Sequence, residues 1–133
     1  MQVHRWRCLV PAAMLAILLT AGCASTPKMP SGASTVFGKP SAVVQKAALD
    51  SLIVAGFEIQ KTEPLYVEGM RPHRVGLVVG SGGETVGVWL EPMGASRTGV
   101  RVDTARSLLG IAGQRKWNDD ILAEMTKTLG KPE

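Results

Sequence analysis

Two kinds of hydrophobic pattern divide the chain. From Cys8 to Leu19 no charged residue appears and apolar residues are nearly continuous, whereas from Ser41 onward they recur with a period. The first periodic stretch is helical, because Val44, Ala47, Ala48, Leu52 and Ala55 fall on one face of a 3.6-residue repeat. Ser41, just after Pro40, is read as its N-cap and Gly56 as its C′ stop. Period two then takes over. Phe57 and Ile59 alternate with Glu58 and Gln60 in a first strand, Glu63-Pro64 breaks it, and Leu65 to Met70 forms the return of a hairpin. Arg71 to Arg74 reads as a loop.

The apolar run Val75–Val79 predicts a third strand, closed by a turn at Gly80-Ser81-Gly82-Gly83. Thr85–Glu91 is the next, with Val86, Val88 and Leu90 on one face and Thr85, Gly87 and Trp89 on the other. After a turn at residues 92–96, Thr98–Thr104 is the last strand, Val100 and Val102 alternating with Arg101 and Asp103. Residues 107–113 read equally well as strand extension or loop. The final helix carries Ile121, Leu122, Met125 and Leu129 on one stripe, with Asn118 as N-cap, Asp119 and Asp120 in the first turn, and Gly130 and Pro132 at its end. The elements run helix, strands, helix. That order predicts an α+β fold: one antiparallel sheet of four or five strands flanked by an N-terminal and a C-terminal helix packed on one face.

The aperiodic apolar run has a different meaning. It is about a dozen residues long, short of the roughly 20 needed to span a bilayer, and Pro11 interrupts it. Arg5 and Arg7 precede it, so residues 1–22 read as an export leader. The run ends in Leu19-Thr20-Ala21-Gly22-Cys23, which resembles the lipobox of bacterial lipoproteins. Thr20 departs from that pattern, where an aliphatic residue is usual. The resemblance implies cleavage between Gly22 and Cys23 and a diacylglycerol on the Cys23 sulfur. Once Cys8 has left with the leader, Cys23 is the only cysteine in the chain, with no intramolecular partner; acylation accounts for it. Ala24 follows where an Asp would favour retention in the inner membrane, so the resemblance implies a lipid-anchored protein at the outer membrane, facing the periplasm.

Between anchor and fold, residues 24–40 are dominated by Ser, Thr, Pro and Gly. Residues 23–40 are therefore read as acylated cysteine plus flexible tether, with a mean reach of roughly 20–25 Å, and residues 41–133 as the domain. Within the tether, Val36 and Phe37 are the apolar exception, suited to docking as a short strand. The order of elements resembles small proteobacterial envelope lipoproteins of unknown function. More distantly, it is similar to helix-and-sheet modules of lipoprotein subunits in the outer-membrane β-barrel assembly machine. Val100–Thr104 and Gly110–Trp117 carry that resemblance, and it implies no established activity.

Charge adds an exclusion. The net charge of +4 falls to +2 once Arg5 and Arg7 are removed, and no basic stripe with interleaved aromatics remains, so no nucleic-acid partner is expected. Candidate chemistry is sparse. Gly80-Ser81-Gly82-Gly83 lacks the third glycine and the following helix of a dinucleotide fingerprint. Glycines four apart, Gly76/Gly80 and Gly83/Gly87, lie in a strand pattern, not in a membrane helix. His73, the only histidine after cleavage, sits in a loop with no evident nucleophile, and cannot build a zinc site alone. No catalytic residues, no metal and no cofactor beyond the covalent lipid are expected.

Two places remain for a binding surface. One is the cluster Arg115-Lys116-Trp117, where cations beside an aromatic suit anionic headgroups, glycan or an acidic partner; alternatively Trp117 packs over the sheet and starts the last helix. The other is Trp89, bordered by the small residues Thr85 and Gly87, with Arg101 on the neighbouring strand. The expected partners are a membrane, reached through the lipid, and an envelope protein, with oligomeric state left open. The expected role is a non-catalytic adaptor or structural component; the alternative is a domain binding a small ligand or an envelope polymer.

Overall fold

The computed structural model describes residues 26–72, 74–75, 80–81, 83–106 and 114–133. The elements are β1 (Thr35–Phe37), α1 (Ser41–Val54), β2 (Glu58–Glu63), β3 (Tyr66–Met70), β4 (Arg74–Val75), β5 (Gly80–Ser81), β6 (Thr85–Pro92), β7 (Thr98–Ala105) and α2 (Asn118–Leu129). The fold is α+β. Among the described residues, five strands form one antiparallel sheet in the order β1-β7-β6-β3-β2. Both helices cover one face of it.

The inward faces of the strands and the stripes of the helices form one core. Val67 of β3, Val86, Val88 and Leu90 of β6, and Val100 and Val102 of β7 meet Val44, Ala47, Ala48 and Leu52 of α1 and Ile121, Met125 and Leu129 of α2. Phe37 of β1 joins them and is almost wholly buried. Helix α1 ends in a Schellman motif: Phe57 N–H reaches Leu52 O at 2.9 Å and Gly56 N–H reaches Ile53 O at 3.0 Å. Gly56 takes φ +85°, open to glycine at little cost. Phe57, delivered by that turn, packs back into the core beside Leu52.

Four expectations need correction. The fifth strand of the sheet is β1, not 75–79. Strand β3 pairs directly with β6, and Arg74–Val75 pairs instead with Gly80–Ser81 in a separate two-stranded ribbon; residues 76–79 lie outside the described residues, as do His73 and 107–113. Pro40, not Ser41, caps α1: its carbonyl accepts from the N–H groups of Val43 and Val44, and no side chain takes part. Trp117, not Asn118, holds the cap position of α2. Asn118 is already helical, and its side-chain Oδ1 accepts from the Thr104 hydroxyl at 2.7 Å, while that hydroxyl accepts from Trp117 N–H at 3.0 Å.

The fourth concerns the tether. From Thr26 onward it lies on the domain. Residues 26–34 cross the sheet face opposite the helices; Thr35–Phe37 then pair with Thr98–Val100 as β1, the short docked strand expected of Val36 and Phe37. Composition made this stretch look unable to order itself. The sheet supplies what it lacks: a row of side-chain partners and two glycines on which to lie.

Candidate functional site

Alternation puts a second set of side chains on the face away from the helices. Cross-strand register aligns them in rows: Tyr66–Trp89–Arg101, then Glu68–Gly87–Asp103, with Glu91 opposite Gly99. Residues 26–34 form a strap over β6 and β7, fixed by four contacts. Pro27 is buried above Gly87; a Cβ added to that glycine would stand 3.0 Å from the Pro27 ring. Lys28 N–H donates to Asp103 Oδ2 at 3.1 Å, and Arg101 Nη1 donates to Pro30 O at 3.3 Å. Ser34 sits over Gly99, its Oγ only 2.6 Å from where a Cβ would be. Arg101 also reaches Glu91 at 3.2 Å, so one guanidinium ties the strap to two strands.

The strap leaves part of this face open. Beside its first residues lies a groove of about 670 Å3. Its floor is an aromatic pair, Tyr66 and Trp89, with ring centroids 5.0 Å apart and planes tilted by 40°. Thr26 and Pro27 form one wall, and the Pro64–Leu65 turn closes an end. Gly87 is what lets Trp89 lie flat: the far edge of the indole would stand 2.7 Å from a Cβ there. Charges rim the floor. Tyr66 donates its hydroxyl to Glu68 Oε2 at 2.6 Å, Lys61 holds its ammonium 5.8 Å from the Tyr66 ring centre, and Glu63 also lines the groove. Burial pushes the Tyr66 phenol well above its ordinary range; the hydrogen bond to Glu68 and the charges of Glu68 and Glu63 push the same way.

The other sequence-named surface is built differently. Trp117 is 6% exposed and meets Phe57 edge-on at 5.3 Å, so its ring belongs to the core. The guanidiniums of Arg115 and Arg71 lie 3.9 and 4.7 Å from its ring centre, and Arg115 also pairs with Asp120 at 3.2 Å. What this place shows to solvent is Lys116 and the outer side of Arg115. The five residues singled out from the sequence are thus divided: Trp89 and Arg101 on the strapped face, Arg115, Lys116 and Trp117 at the start of α2. Cys23 and Gly22 lie outside the described residues.

Sequence reasoning missed Tyr66, Lys61, Glu68 and the wall at Thr26–Pro27. Alternation alone puts Tyr66 and Glu68 on one face of β3. Bringing Tyr66 beside Trp89 requires the pairing of β3 with β6, which a strand expected at 75–79 obscured. Glu84, just before β6, is fully buried, and among the described residues neither of its carboxylate oxygens finds a hydrogen bond. Its backbone closes the end of the sheet, Arg71 N–H donating to Glu84 O at 2.9 Å. Among the described residues no group of three His, Cys, Asp or Glu side chains is gathered for a metal, and no helix is long and apolar enough to cross a membrane. The chain matches no protein-family model, and no curated protein is significantly similar to it in sequence.

Proposed function

We propose that this chain is an envelope lipoprotein, held in the outer membrane by acylated Cys23, facing the periplasm, and serving there as a non-catalytic adaptor or structural component. The motif Leu19-Thr20-Ala21-Gly22-Cys23 after a short basic and apolar leader carries the reading. A sole remaining thiol in an exported chain is consistent with it, since a free thiol would otherwise be exposed to oxidation. Two or more acyl chains, at about 0.8 kcal/mol per buried CH₂, suffice for lasting attachment. A filled core and a shallow, open outer face suit contact with a macromolecule better than enclosure of a small substrate.

The test is chemical. Cys23→Ser should abolish incorporation of labelled palmitate and move the protein from the membrane to the soluble fraction, with the domain still folded. An unlabelled wild-type protein, or membrane association unchanged in the variant, would sink the anchor. Photo-crosslinking probes at Arg101, Arg115 and Lys116 then address the partner, and a single dominant protein adduct is expected. The second reading, binding of a small ligand or envelope polymer, is favoured by one observation, the open Tyr66–Trp89 groove. Adducts to lipid or glycan alone would move the weight to it.

A further inference from the structure

We propose that the Tyr66–Trp89 groove receives the ammonium group of a zwitterionic phospholipid headgroup, and so turns the strapped face of the domain toward the bilayer. The source of the ligand rests on the lipid anchor proposed above; its chemistry rests on the groove.

Two aromatic rings 5.0 Å apart present electron-rich faces to a cation. Two carboxylates, Glu63 and Glu68, line the same groove against one ammonium, Lys61. That balance disfavours a purely anionic headgroup and favours a positively charged one. The protein already places a cation there, since the Lys61 ammonium lies 5.8 Å from the Tyr66 ring centre. In an ethanolamine headgroup the ligand ammonium would meet the rings and carboxylates, and Lys61 would meet its phosphate.

The source follows from which part of the chain lines the groove. Thr26 forms a wall of the groove and stands three residues after Cys23. Three residues span at most about 10 Å of chain. A domain anchored at Cys23 therefore cannot drift away on a long linker; its groove lies within about one headgroup layer of the acylated cysteine. Tyr and Trp are the side chains that settle at such an interface, an apolar body with one polar group. Leu65, 45% exposed at the turn that lines the same groove, adds an apolar side chain there. The helices lie on the far side of the sheet and face away from the lipid.

The experiment uses the mature chain attached to vesicles in two ways: as the natively processed protein reconstituted from membranes, and as a leaderless chain coupled through Cys23, its sole thiol, to a maleimide-bearing lipid. Acrylamide quenching of tryptophan is measured in mixed phosphatidylethanolamine–phosphatidylglycerol vesicles and in phosphatidylglycerol vesicles. Trp117 is buried, so the accessible emission reports Trp89. Quenching should fall in the ethanolamine vesicles alone, because a headgroup seated on the indole keeps acrylamide from it. Glu63→Lys, on an exposed strand, should abolish that protection without unfolding the domain, and Tyr66→Leu should reduce it. Equal protection in both vesicle types would overturn the ammonium assignment, and protection in neither would overturn the orientation. Absence of lipid from the native protein's intact mass, with protection kept in the coupled chain, would remove the natural anchor and leave the groove assignment standing.

Discussion

Two strand glycines decide what the outer face can hold. Trp89 lies flat because Gly87 has no side chain, and Pro27 uses the same space from above. Gly87→Ala puts a methyl group 2.7 Å from the indole edge and 3.0 Å from Pro27. Ring and strap must both rise, which should cost about 1–3 kcal/mol by the usual penalty of overpacking. Denaturant unfolding measures the loss, and a red-shifted Trp89 emission reports the lifted ring; an unchanged spectrum would refute the packing. Tyr66 offers a cleaner probe, being the only tyrosine in the chain. Its raised folded-state pKa means that the neutral phenol favours the fold. That contribution is complete below the ordinary tyrosine value of about 10 and is lost as pH climbs through the raised one. Ultraviolet titration should therefore show the phenolate appearing later than in the unfolded chain, Glu68→Gln should bring it earlier, and Tyr66→Phe should flatten the alkaline fall of melting temperature. A midpoint equal to that of the unfolded chain would show the hydroxyl to be solvated.

At the scale of elements, α2, β3 and the two long strands were legible because each carries a clean period; α1 was legible from its stripe Val44, Ala47, Ala48 and Leu52 although Val43, Ile53 and Val54 are exposed. The stops were legible too, since Gly56 and Gly130 take the positive φ angles, +85° and +91°, that glycine at a helix end suggests. Caps were misread by one residue at both helices, where a backbone carbonyl or a side chain from another strand took the role assigned to a local side chain. Sequence cannot rank a local acceptor against Thr104, which lies 14 positions before Asn118. The strap was illegible for a related reason. A stretch of Ser, Pro and Gly looks mobile in isolation, and its order comes from Asp103, Arg101, Gly87 and Gly99. The candidate site was half legible: Trp89 between small residues was visible, Tyr66 beside it was not. The strap's dependence on its partners can be tested. Arg101→Met keeps the stem and removes the link to Pro30 and Glu91. The Lys28 amide should then exchange with deuterium faster, and protease should cut within 26–34. The melting temperature should fall little, because a partly exposed ion pair contributes only about 0–1 kcal/mol. Unchanged exchange would mean that Arg101 is not a fastening.

The whole molecule closes its sheet unequally. At one edge, β2 is short, bulged and charged, reading Glu58-Ile59-Gln60-Lys61-Thr62-Glu63, which discourages edge-to-edge pairing. At the other, Glu133 lies along β1: its N–H donates to Val36 O at 2.9 Å, and its side chain pairs with Arg97 at 2.7 Å. A chain beginning at Gly38 would lose both strap and β1. It would leave the β7 edge bare and empty the site of Phe37, a loss of about 3–5 kcal/mol from a domain whose total stability is of order 5–15 kcal/mol. Such a truncation should associate or unfold at 37 °C, as sedimentation and circular dichroism would reveal. A monodisperse, fully stable truncation would show that the segment is ornamental.

The strap also gives the domain a mechanical character. Tension applied at Cys23 reaches Pro27 first, then the Lys28 amide, Pro30 and Ser34, each held by one small lateral contact, and only afterwards the β1–β7 pair. Contacts taken one at a time yield at low force. Nine residues, 26–34, have a contour of roughly 30 Å, and what they release before the core is strained is that length less the distance the strap already spans. Under pull the protein is then a spring in series with a rigid body. It would give way over that range and rewind when slack returns, so that, anchored as proposed at Cys23, its reach from the membrane would be set by force as much as by sequence.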